Sequence, residues 1–396
     1  MRSRTFAPVA VSVALMLAAS ACSSNGSSGG NESPAPSAPS GSALSLKGIC
    51  PDNVVIQTDW FAESEYANLY QMLGPNPTFD RKKKRMTGSL VSSGKDTGVK
   101  LEIRYGGPAI GYQQVSPQMY QDKSILLGQV STDEAVQNSA KQPTLAVLAP
   151  LEVSPIMIMW DKDKHPEFNS IADIGQTDTK VVYYQTDTYM QYLLGAGILR
   201  QSQVDGSYDG GPSRWVASGG TIAQGGFATS EPYIYKHELG GGKSYNVDLQ
   251  LINDTNYPLY GQAIVIRSAD KEKQAPCLKK LVPIMQQATV DFITNPGPTN
   301  KLVIDAVQAD KSDVWNYSPG MADFAVKTMK DKGLVSNGTN ATLGDFDDAR
   351  VKRMIEILTP IFASQHKPVK EGLKPSDLYT NEFIDPKIGL KSGAGG

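Results

Sequence analysis

The side chains best suited to chemistry in this sequence are carboxylates and aromatic rings near the ends of short apolar stretches. Aromatic faces stack on flat ligands or hold cations, and carboxylates accept hydrogen bonds from amino groups. The combination favours binding of a planar nitrogen heterocycle or an amine. It suits a sulfonate or nitrate poorly, because Arg104 is the one basic residue at these positions and strand alternation could turn it away. The candidates, with small and hydroxyl residues beside them, are Asp59, Trp60, Glu65, Tyr66, Gly107, Asp133, Tyr184, Thr186, Tyr189, Phe227, Thr229 and Glu231.

One stretch, Gly220–Glu238, brings small residues up to a carboxylate at a turn. Gly225-Gly226 lets the backbone approach a ligand closely, and Pro232 suits the first turn of a helix. The residue before a proline is pushed towards an extended conformation. Two interpretations follow. Either Glu231 points into a cleft, with backbone N–H groups near 227–229 reaching a ligand, or it pins the start of an ordinary capped helix.

Metal and nucleophile motifs are missing from the sequence. The three histidines, His165, His237 and His366, are widely separated, and none has the close His/Cys spacing of a zinc site. There is no GxSxG nucleophile elbow and no Walker loop. We therefore expect no metal and no cofactor.

Short apolar strands followed by polar turns and helices are expected to position the candidates. Residues 53–60 form such a strand, with a helix over 64–73, and 180–184 form another, with a helix over 189–194. In open α/β sheets, ligands bind beyond the carboxyl ends of the strands. Asp133 follows a further short strand, where it would either cap a helix or face the cleft. From residue 271 the chain becomes mainly helical, so we predict an α/β fold with a helical C-terminal region.

The segment 75–98 reads as a polar loop that contains the basic run Arg81–Arg85. It would either contact anionic headgroups or a membrane partner, or be an ordinary solvated loop.

The N-terminus has the pattern of an export signal. Arg2 and Arg4 precede an apolar run, which ends at small residues before Cys22. This predicts a signal peptide over 1–21, too short for an ordinary membrane span, and the cysteine after it resembles a bacterial lipobox. Residues 22–49 are rich in Ser, Gly and Pro, which predicts a flexible tether. The protein would then be lipid-anchored at Cys22 on the extracytoplasmic face of the cell membrane.

Two cysteines remain, Cys50 and Cys277. Export permits a disulfide between them, and the alternative is two buried thiols. The formal net charge of −2 gives no reason to expect nucleic-acid binding.

Three segments in this order resemble the solute-binding proteins of ABC importers: Gln57–Trp60 before a helix, Ser170–Gly175 before a strand, and Gln224–Tyr233. Within that family the resemblance is to the thiamine-pyrimidine-precursor group, which also includes sulfonate and nitrate binders. It covers residues 53–267. The long basic loop and the extended segment 107–121 depart from the pattern and leave the ligand open.

The resemblance implies a two-lobed, type II periplasmic-binding-protein-like fold with two crossover strands and a ligand trapped between the lobes. Lobe 1 would be 50–149 plus 262–396, and lobe 2 would be 150–261. It also implies a monomer that delivers a small ligand to an ABC permease without catalysis. Trp60 and either Asp59 or Glu65 would read the ligand from one lobe, and 184–189 and Glu231 from the other.

Two alternatives stay open. The first is an exported enzyme on the same scaffold, with Asp59 or Glu231 as general base. The second is a ligand-sensing lipoprotein that has no permease.

Overall fold

The computed structural model describes residues 33–312 and 315–391, so the expected signal peptide and Cys22 lie outside the described residues. The strands are β1 (Asn53–Gln57), β2 (Thr78–Asp80), β3 (Arg85–Ser92), β4 (Lys95–Arg104), β5 (Leu127–Val130), β6 (Thr144–Leu148), β7 (Ile156–Asp161), β8 (Val181–Val182), β9 (Val204–Asp205), β10 (Ala223–Phe227), β11 (Val247–Leu251) and β12 (Ala263–Arg267). The helices are α1 (Ala67–Tyr70), α2 (Val115–Gln121), α3 (Thr132–Asn138), α4 (Ile171–Gly175), α5 (Tyr189–Gly195), α6 (Ser213–Ser218), α7 (Glu231–Tyr233), α8 (Lys271–Thr294), α9 (Gly297–Asp310), α10 (Pro319–Asp331) and α11 (Asp348–Ser364). None of the described helices is long and apolar enough to cross a membrane.

The first sheet has seven strands in the order β2-β3-β4-β1-β5-β12-β6. Its centre is β1, whose apolar residues are buried, as expected for a strand covered on both faces. This strand runs parallel to β4 and β5, so the carboxyl ends of β1 and β5 meet at one edge of the sheet. The neighbouring β12 is antiparallel to both β5 and β6.

The second sheet has five strands in the order β11-β7-β10-β8-β9. Strands β8, β9 and β10 are parallel, whereas β7 is antiparallel to β10 and β11. The carboxyl ends of β8 and β10 therefore lie side by side. The predicted strand 180–184 is shorter than expected, since it leaves the sheet after Val182.

The C-terminal helices pack on both sides of this framework. Helix α8 packs against α1 and against β6, the edge strand of the first sheet, and α11 packs against α3 and α5. Buried apolar residues form two clusters, which together include core residues from both sheets and these helices. The mixed α/β fold with a helical C-terminal region agrees with the expectation from sequence.

The expected tether over 22–49 does not stay free of the fold from Ser33 onwards. Leu46 is fully buried, and its N–H donates to the Thr97 carbonyl. Ser37 pairs with Asp96 of β4, and Cys50 forms a disulfide with Cys277 of α8. Composition suggested a free linker because apolar residues are few in this segment, but Leu46 is buried in the core and the backbone near Ser37 pairs with β4.

The expected polar loop over 75–98 is instead a pair of antiparallel hairpins made by β2, β3 and β4. Lys84 lies between β2 and β3 with a left-handed backbone (φ 48°) and forms an ion pair with buried Asp310 of α9. Arg85 pairs with Glu102 on β4. Asp310 lies far from the basic run in sequence. The local sequence therefore could not show that these basic side chains form ion pairs with carboxylates instead of being solvated.

Candidate ligand-binding cavity

One cavity lies where the carboxyl ends of β1 and β5 in the first sheet face those of β8 and β10 in the second. Its volume is about 130 Å³, below the ~300–1,000 Å³ of drug-sized pockets, so it suits a small ligand. The lining residues are Asp59, Trp60, Glu63, Tyr66, Gln113, Gln114, Ser131, Asp133, Glu134, Ser154, Ile156, Tyr184, Thr186, Asp187, Thr188, Tyr189, Tyr208, Gly226, Phe227, Ser230, Glu231, Gly261, Gln262 and Trp315.

On the first sheet, a hydrogen-bonded chain orients the group that follows β1. The Tyr66 hydroxyl donates to Oδ1 of Asp59 (2.7 Å), and Nε2 of Gln262 donates to the Tyr66 oxygen (3.1 Å). Gln262 is buried with a left-handed backbone (φ 55°), an uncommon conformation for a residue with a side chain. Strain of this kind concentrates at ligand sites, which favours a functional role for this residue.

On the second sheet, Glu231 is fixed by three donors. Oε1 accepts from the Tyr208 hydroxyl (2.8 Å), and Oε2 accepts from the Phe227 N–H (2.7 Å) and the Ser230 hydroxyl (3.1 Å). A Cβ at Gly226 would lie 2.5 Å from Cδ of Glu231, so only glycine leaves room for this carboxylate. Glu231 therefore lines the cavity and also ties the start of α7 to β10.

The backbone N–H groups expected to reach a ligand near 227–229 are largely occupied. The Phe227 N–H donates to Glu231, and the Ala228 N–H donates to the Pro155 carbonyl. The small residues instead make space for the Glu231 carboxylate.

Beyond β5, Asp133 and Glu134 lie at the start of α3. Oδ2 of Asp133 accepts from the Tyr257 hydroxyl (3.0 Å), and its Oδ1 accepts from the Glu134 N–H (2.8 Å). Oε1 of Glu134 accepts from both the N–H (3.0 Å) and the hydroxyl (2.7 Å) of Ser116. Asp133 thus serves its own helix start and lines the cavity, as both sequence interpretations allowed.

Burial dominates the protonation of these carboxyl groups. It raises the pKa of Asp59 to about 6, against the hydrogen bond from Tyr66, and that of Glu134 to about 7. Burial, reinforced by the charges of Glu65, Asp59 and Glu231, raises the pKa of Glu63 well above its ordinary value. The pKa values of Asp133, Asp187 and Glu231 are raised as well, again chiefly by burial. These groups hold protons at a higher pH than free carboxylates do.

Aromatic rings from both sheets meet over the cavity. The centroid of the Trp60 ring is 5.4 Å from that of Tyr184 and 6.2 Å from that of Trp315, in both cases edge to face. A Cβ at Gly107 would lie 2.7 Å from Cε3 of Trp60, and one at Gly210 would lie 2.6 Å from Cζ2. The indole is thus held between two glycines, one after β4 and one after β9.

Most of the candidates from sequence come together here. The structure places Asp59, Trp60, Tyr66, Asp133, Tyr184, Thr186, Tyr189, Phe227 and Glu231 in the lining.

Three candidates lie outside the lining. Gly107 backs the Trp60 indole and does not line the cavity itself. Glu65 and Thr229 are buried behind the lining, where burial raises the pKa of Glu65 to about 7 and the Thr229 hydroxyl offsets part of the rise. Residues Ser64–Tyr66 form a 3₁₀ turn, in which positions three apart share a face. This turn presents Glu63 and Tyr66 to the cavity and turns Glu65 away.

The sequence interpretation missed several lining residues for different reasons. Glu63 could have been found from its spacing to Tyr66, and Asp187 from its place in the polar turn after β8. Trp315 and Tyr208 come from segments far from the strand ends that defined the search, so no local signal pointed to them. The missed residues are Glu63, Gln113, Gln114, Ser131, Glu134, Ser154, Ile156, Asp187, Thr188, Tyr208, Gly226, Ser230, Gly261, Gln262 and Trp315.

Within residues 33–312 and 315–391, no group of three or more His, Cys, Asp or Glu side chains is arranged to hold a metal ion.

Comparison with known proteins identifies the fold. No protein-family model matches the chain, and no curated protein matches it in sequence. The chain is similar to the solved structure of the alkanesulfonate-binding protein SsuA from Xanthomonas axonopodis pv. citri bound to MOPS, with 12% identity over 83% of this chain and 99% of that one and a TM-score of 0.52. It is equally similar to a protein from Bordetella bronchiseptica RB50, with 14% identity over 84% and 96% of the two chains and a TM-score of 0.52. The chain has a periplasmic-binding-protein fold.

Proposed function

We propose that this protein is the solute-binding component of an ABC importer, which captures a small ligand in the cavity and passes it to a membrane permease. The observation that carries the proposal is the composition of the cavity wall. Asp59 and Asp133 follow strands of the first sheet, whereas Asp187 and Glu231 follow strands of the second. A ligand that contacts both sheets stabilises their closed arrangement, which is the usual basis of hinge closure.

In this proposal the two sheets are the cores of two lobes, with lobe 1 formed by 50–149 plus 262–396 and lobe 2 by 150–261. The two connections between the sheets lie close together, because a Cβ at Gly261 would be 2.7 Å from Oγ of Ser154. Both residues line the cavity. The hinge would therefore lie at the floor of the ligand site.

The favoured ligand is a planar nitrogen heterocycle or an amine. SsuA from Xanthomonas is described as an alkanesulfonate-binding protein, and an alkanesulfonate is an anion. The lining of the present cavity includes carboxylates and has no Lys, Arg or His among its described residues. A sulfonate would meet like charges here. We therefore do not extend the alkanesulfonate ligand of SsuA to this protein, although the two share a fold.

The proposal includes an expected cellular setting. A signal peptide over 1–21 and lipid attachment at Cys22 would hold a monomer on the extracytoplasmic face of the membrane, beside its permease. No catalytic role is assigned to the cavity carboxylates.

Native mass spectrometry of the protein purified without added ligand tests the function. We expect a retained small molecule that is released unchanged on denaturation, and a smaller radius of gyration by X-ray scattering when the released molecule is added back. Chemical conversion of the retained molecule during storage would instead favour the exported enzyme. A protein that retains nothing, and whose scattering is unchanged by any ligand that raises its melting temperature, would contradict solute capture by closure.

A further inference from the structure

The balance of charge in the cavity is one-sided. Six carboxyl-bearing side chains line it, and none of the described lining residues is basic; the six are Asp59, Glu63, Asp133, Glu134, Asp187 and Glu231. The donors that the structure gives them are hydroxyl groups and backbone N–H groups, which are neutral, as with Ser116 on Glu134 and Tyr208 on Glu231. Buried carboxylates of folded proteins are usually paired with cations or metals, so the missing partner here is a positive charge.

Four buried polar atoms of the lining make no hydrogen bond within the described part of the chain: the hydroxyl groups of Tyr184 and Tyr189, which can donate or accept, and two carbonyl-type oxygens, which lack a donor. Oε1 of Glu63 and Oε1 of Gln262 make no hydrogen bond within the described part of the chain, although the two residues are only 1% and 4% exposed. A buried polar atom without a partner is costly and is rare in folded proteins. Both atoms accept hydrogen bonds, so they require a ligand that carries N–H or O–H donors.

The aromatic side chains of the cavity complete the recognition of a cation. Trp60 and Tyr184 meet edge to face in the lining of the cavity, and the Trp60 indole is half-buried. Tryptophan and tyrosine faces attract cations through the negative potential of the ring. A quaternary ammonium group would satisfy these rings but not Glu63 or Gln262, because it has no N–H to donate.

We propose that the cavity takes a protonated amine or amidine, a small organic cation with N–H donors and no acidic group. This inference rests on the proposed solute-binding function and narrows its ligand. The ammonium or amidinium group donates to Glu63 and Gln262, and the neighbouring rings cover its apolar part. Planar amidines and aminated heterocycles fulfil the same conditions as alkylamines when they are protonated.

A consequence of the proposal is that ligand binding releases protons. The empty cavity keeps its carboxyl groups partly protonated, because burial and mutual repulsion oppose their ionisation. The groups that face one another include Asp59, Glu63, Glu134 and Glu231, with Glu65 behind them. A bound cation favours the ionised forms, so affinity must rise with pH as long as the ligand stays charged.

Thermal shift with charge-matched probes tests the ligand class. Benzylamine and putrescine at about 10 mM should raise the melting temperature, because a ligand that binds only the folded state stabilises it. Benzyl alcohol has the shape of benzylamine without the charge, choline is a cation without N–H donors, and ethanesulfonate is an anion. These three, and calcium chloride at matched ionic strength, should leave the melting temperature unchanged.

Each contrary result overturns the inference in a recognisable way. A shift from ethanesulfonate or benzyl alcohol alone shows that the ligand class is wrong while solute binding stands. An equal shift in melting temperature with choline would show that N–H donors are not required. A shift with calcium would show that the cavity binds an inorganic cation. If neither amine shifts the melting temperature at about 10 mM, the amine proposal fails. The retained-ligand experiment then decides separately whether the protein captures a solute.

A variant and a pH series complete the test. Glu63→Gln keeps the shape of the side chain but removes its charge, so it should weaken benzylamine or putrescine binding by about tenfold or more. Glu356→Gln, on the exposed side of α11, is the matched control and should leave affinity unchanged. In phosphate buffer, wild-type affinity should rise by about tenfold between about pH 6 and pH 8, since alkylamines remain protonated throughout. Equal affinity at both pH values, or in Glu63→Gln, contradicts the proposal.

Discussion

At the scale of single residues, Glu63 is placed for binding at the expense of stability. Its carboxyl group is buried, and one oxygen has no hydrogen-bond donor in the described part of the chain. We expect Glu63→Gln to raise the stability of the ligand-free protein at neutral pH by about 1 kcal/mol, because folding of the wild type must either bury the charge of this carboxyl or protonate it, and an amide avoids both costs. In a protein of this size, that equals about 2 °C in melting temperature.

The prediction is specific because Glu63→Gln should raise the stability of the protein and lower its affinity for the ligand. A purely structural glutamate would lose stability on substitution, whereas a ligand-binding one gains stability and loses affinity. Differential scanning calorimetry of wild type, Glu63→Gln and the surface control Glu356→Gln measures the first quantity. A lower melting temperature for Glu63→Gln alone would show that its carboxylate supports the fold.

The residue scale also shows what a sequence can predict about this site. Asp59 and Trp60 were found because they follow a buried strand, and polar groups at that position face a cleft in an α/β sheet. Gln262 was not selected because its left-handed backbone conformation cannot be inferred from the residue type. Trp315 reaches the cavity from a distant segment, and only tertiary packing determines that contact.

At the scale of elements, two turns hold the Trp60 indole from opposite edges, and one of them offers a matched pair of variants. Gly210 (φ 94°) and Gly197 (φ 68°) both have a left-handed backbone, but only a Cβ at Gly210 would collide with Trp60. Gly210→Ala and Gly197→Ala should each cost about 1–2 kcal/mol of stability from the backbone. Only Gly210→Ala should also displace the indole.

Ligand affinity and tryptophan fluorescence separate these two effects. We expect Gly210→Ala to weaken benzylamine or putrescine binding by about tenfold, equal to about 1.4 kcal/mol, and to shift the emission spectrum. Gly197→Ala should keep wild-type affinity, because nothing lies within 4 Å of its added Cβ. Equal amine affinities of the two variants would show that the turn after β9, which contains Gly210, does not contribute to ligand binding.

Element prediction succeeded where apolar periodicity was long and failed where the stabilising contact was distant. The strand expected over 53–60 forms as Asn53–Gln57, and the chain is mainly helical from Lys271 as expected, beginning with the long helix Lys271–Thr294. Strands β2 and β3 and the first residues of β4 were predicted to be a polar loop because Gly, Ser, Lys and Arg dominate the segment 75–98. Their stability comes from pairing with β1 and from Asp310, which local composition does not report.

At the scale of the whole molecule, the disulfide between Cys50 and Cys277 joins the start of the first sheet to α8. Cross-linking residues 227 positions apart restricts the unfolded chain, and loss of a native disulfide typically costs about 2–5 kcal/mol. The double variant Cys50→Ser, Cys277→Ser should lose about this much in chemical denaturation. A reducing agent should destabilise wild type but not the double variant, and equal stability of oxidised wild type and the variant would contradict the prediction.

The fold class followed from sequence because strand and helix patterns alternate in order along the chain. The ligand class did not follow completely. Carboxylates and aromatic rings at strand ends indicated a nitrogen-containing ligand, but Glu63, Glu134 and Asp187 were missing from that set. Only the folded chain shows that these groups share one cavity without a basic partner among the described lining residues.

The same charge balance governs how the stability of the whole molecule depends on pH. Burial raises the pKa of Asp59 to about 6 and those of Glu65 and Glu134 to about 7, whereas carboxyls of the unfolded chain titrate near about 4. Between these values the folded state binds more protons than the unfolded state, so stability falls as pH rises. We expect the melting temperature of the ligand-free protein to decrease from about pH 5 to pH 7.5.

Glu134→Gln provides the internal test of that slope. Oε1 of Glu134 accepts from Ser116, a role that an amide oxygen can keep, and the charges facing it are those of Asp59 and Asp133. The substitution should therefore flatten the decrease in melting temperature, whereas the exposed Glu356→Gln should preserve it. A bound amine should flatten it as well, because a cation in the cavity stabilises the ionised carboxylates. A melting temperature that rises over this pH range in wild type, or an unchanged slope in Glu134→Gln, would show that these carboxyl groups do not control the stability of the fold.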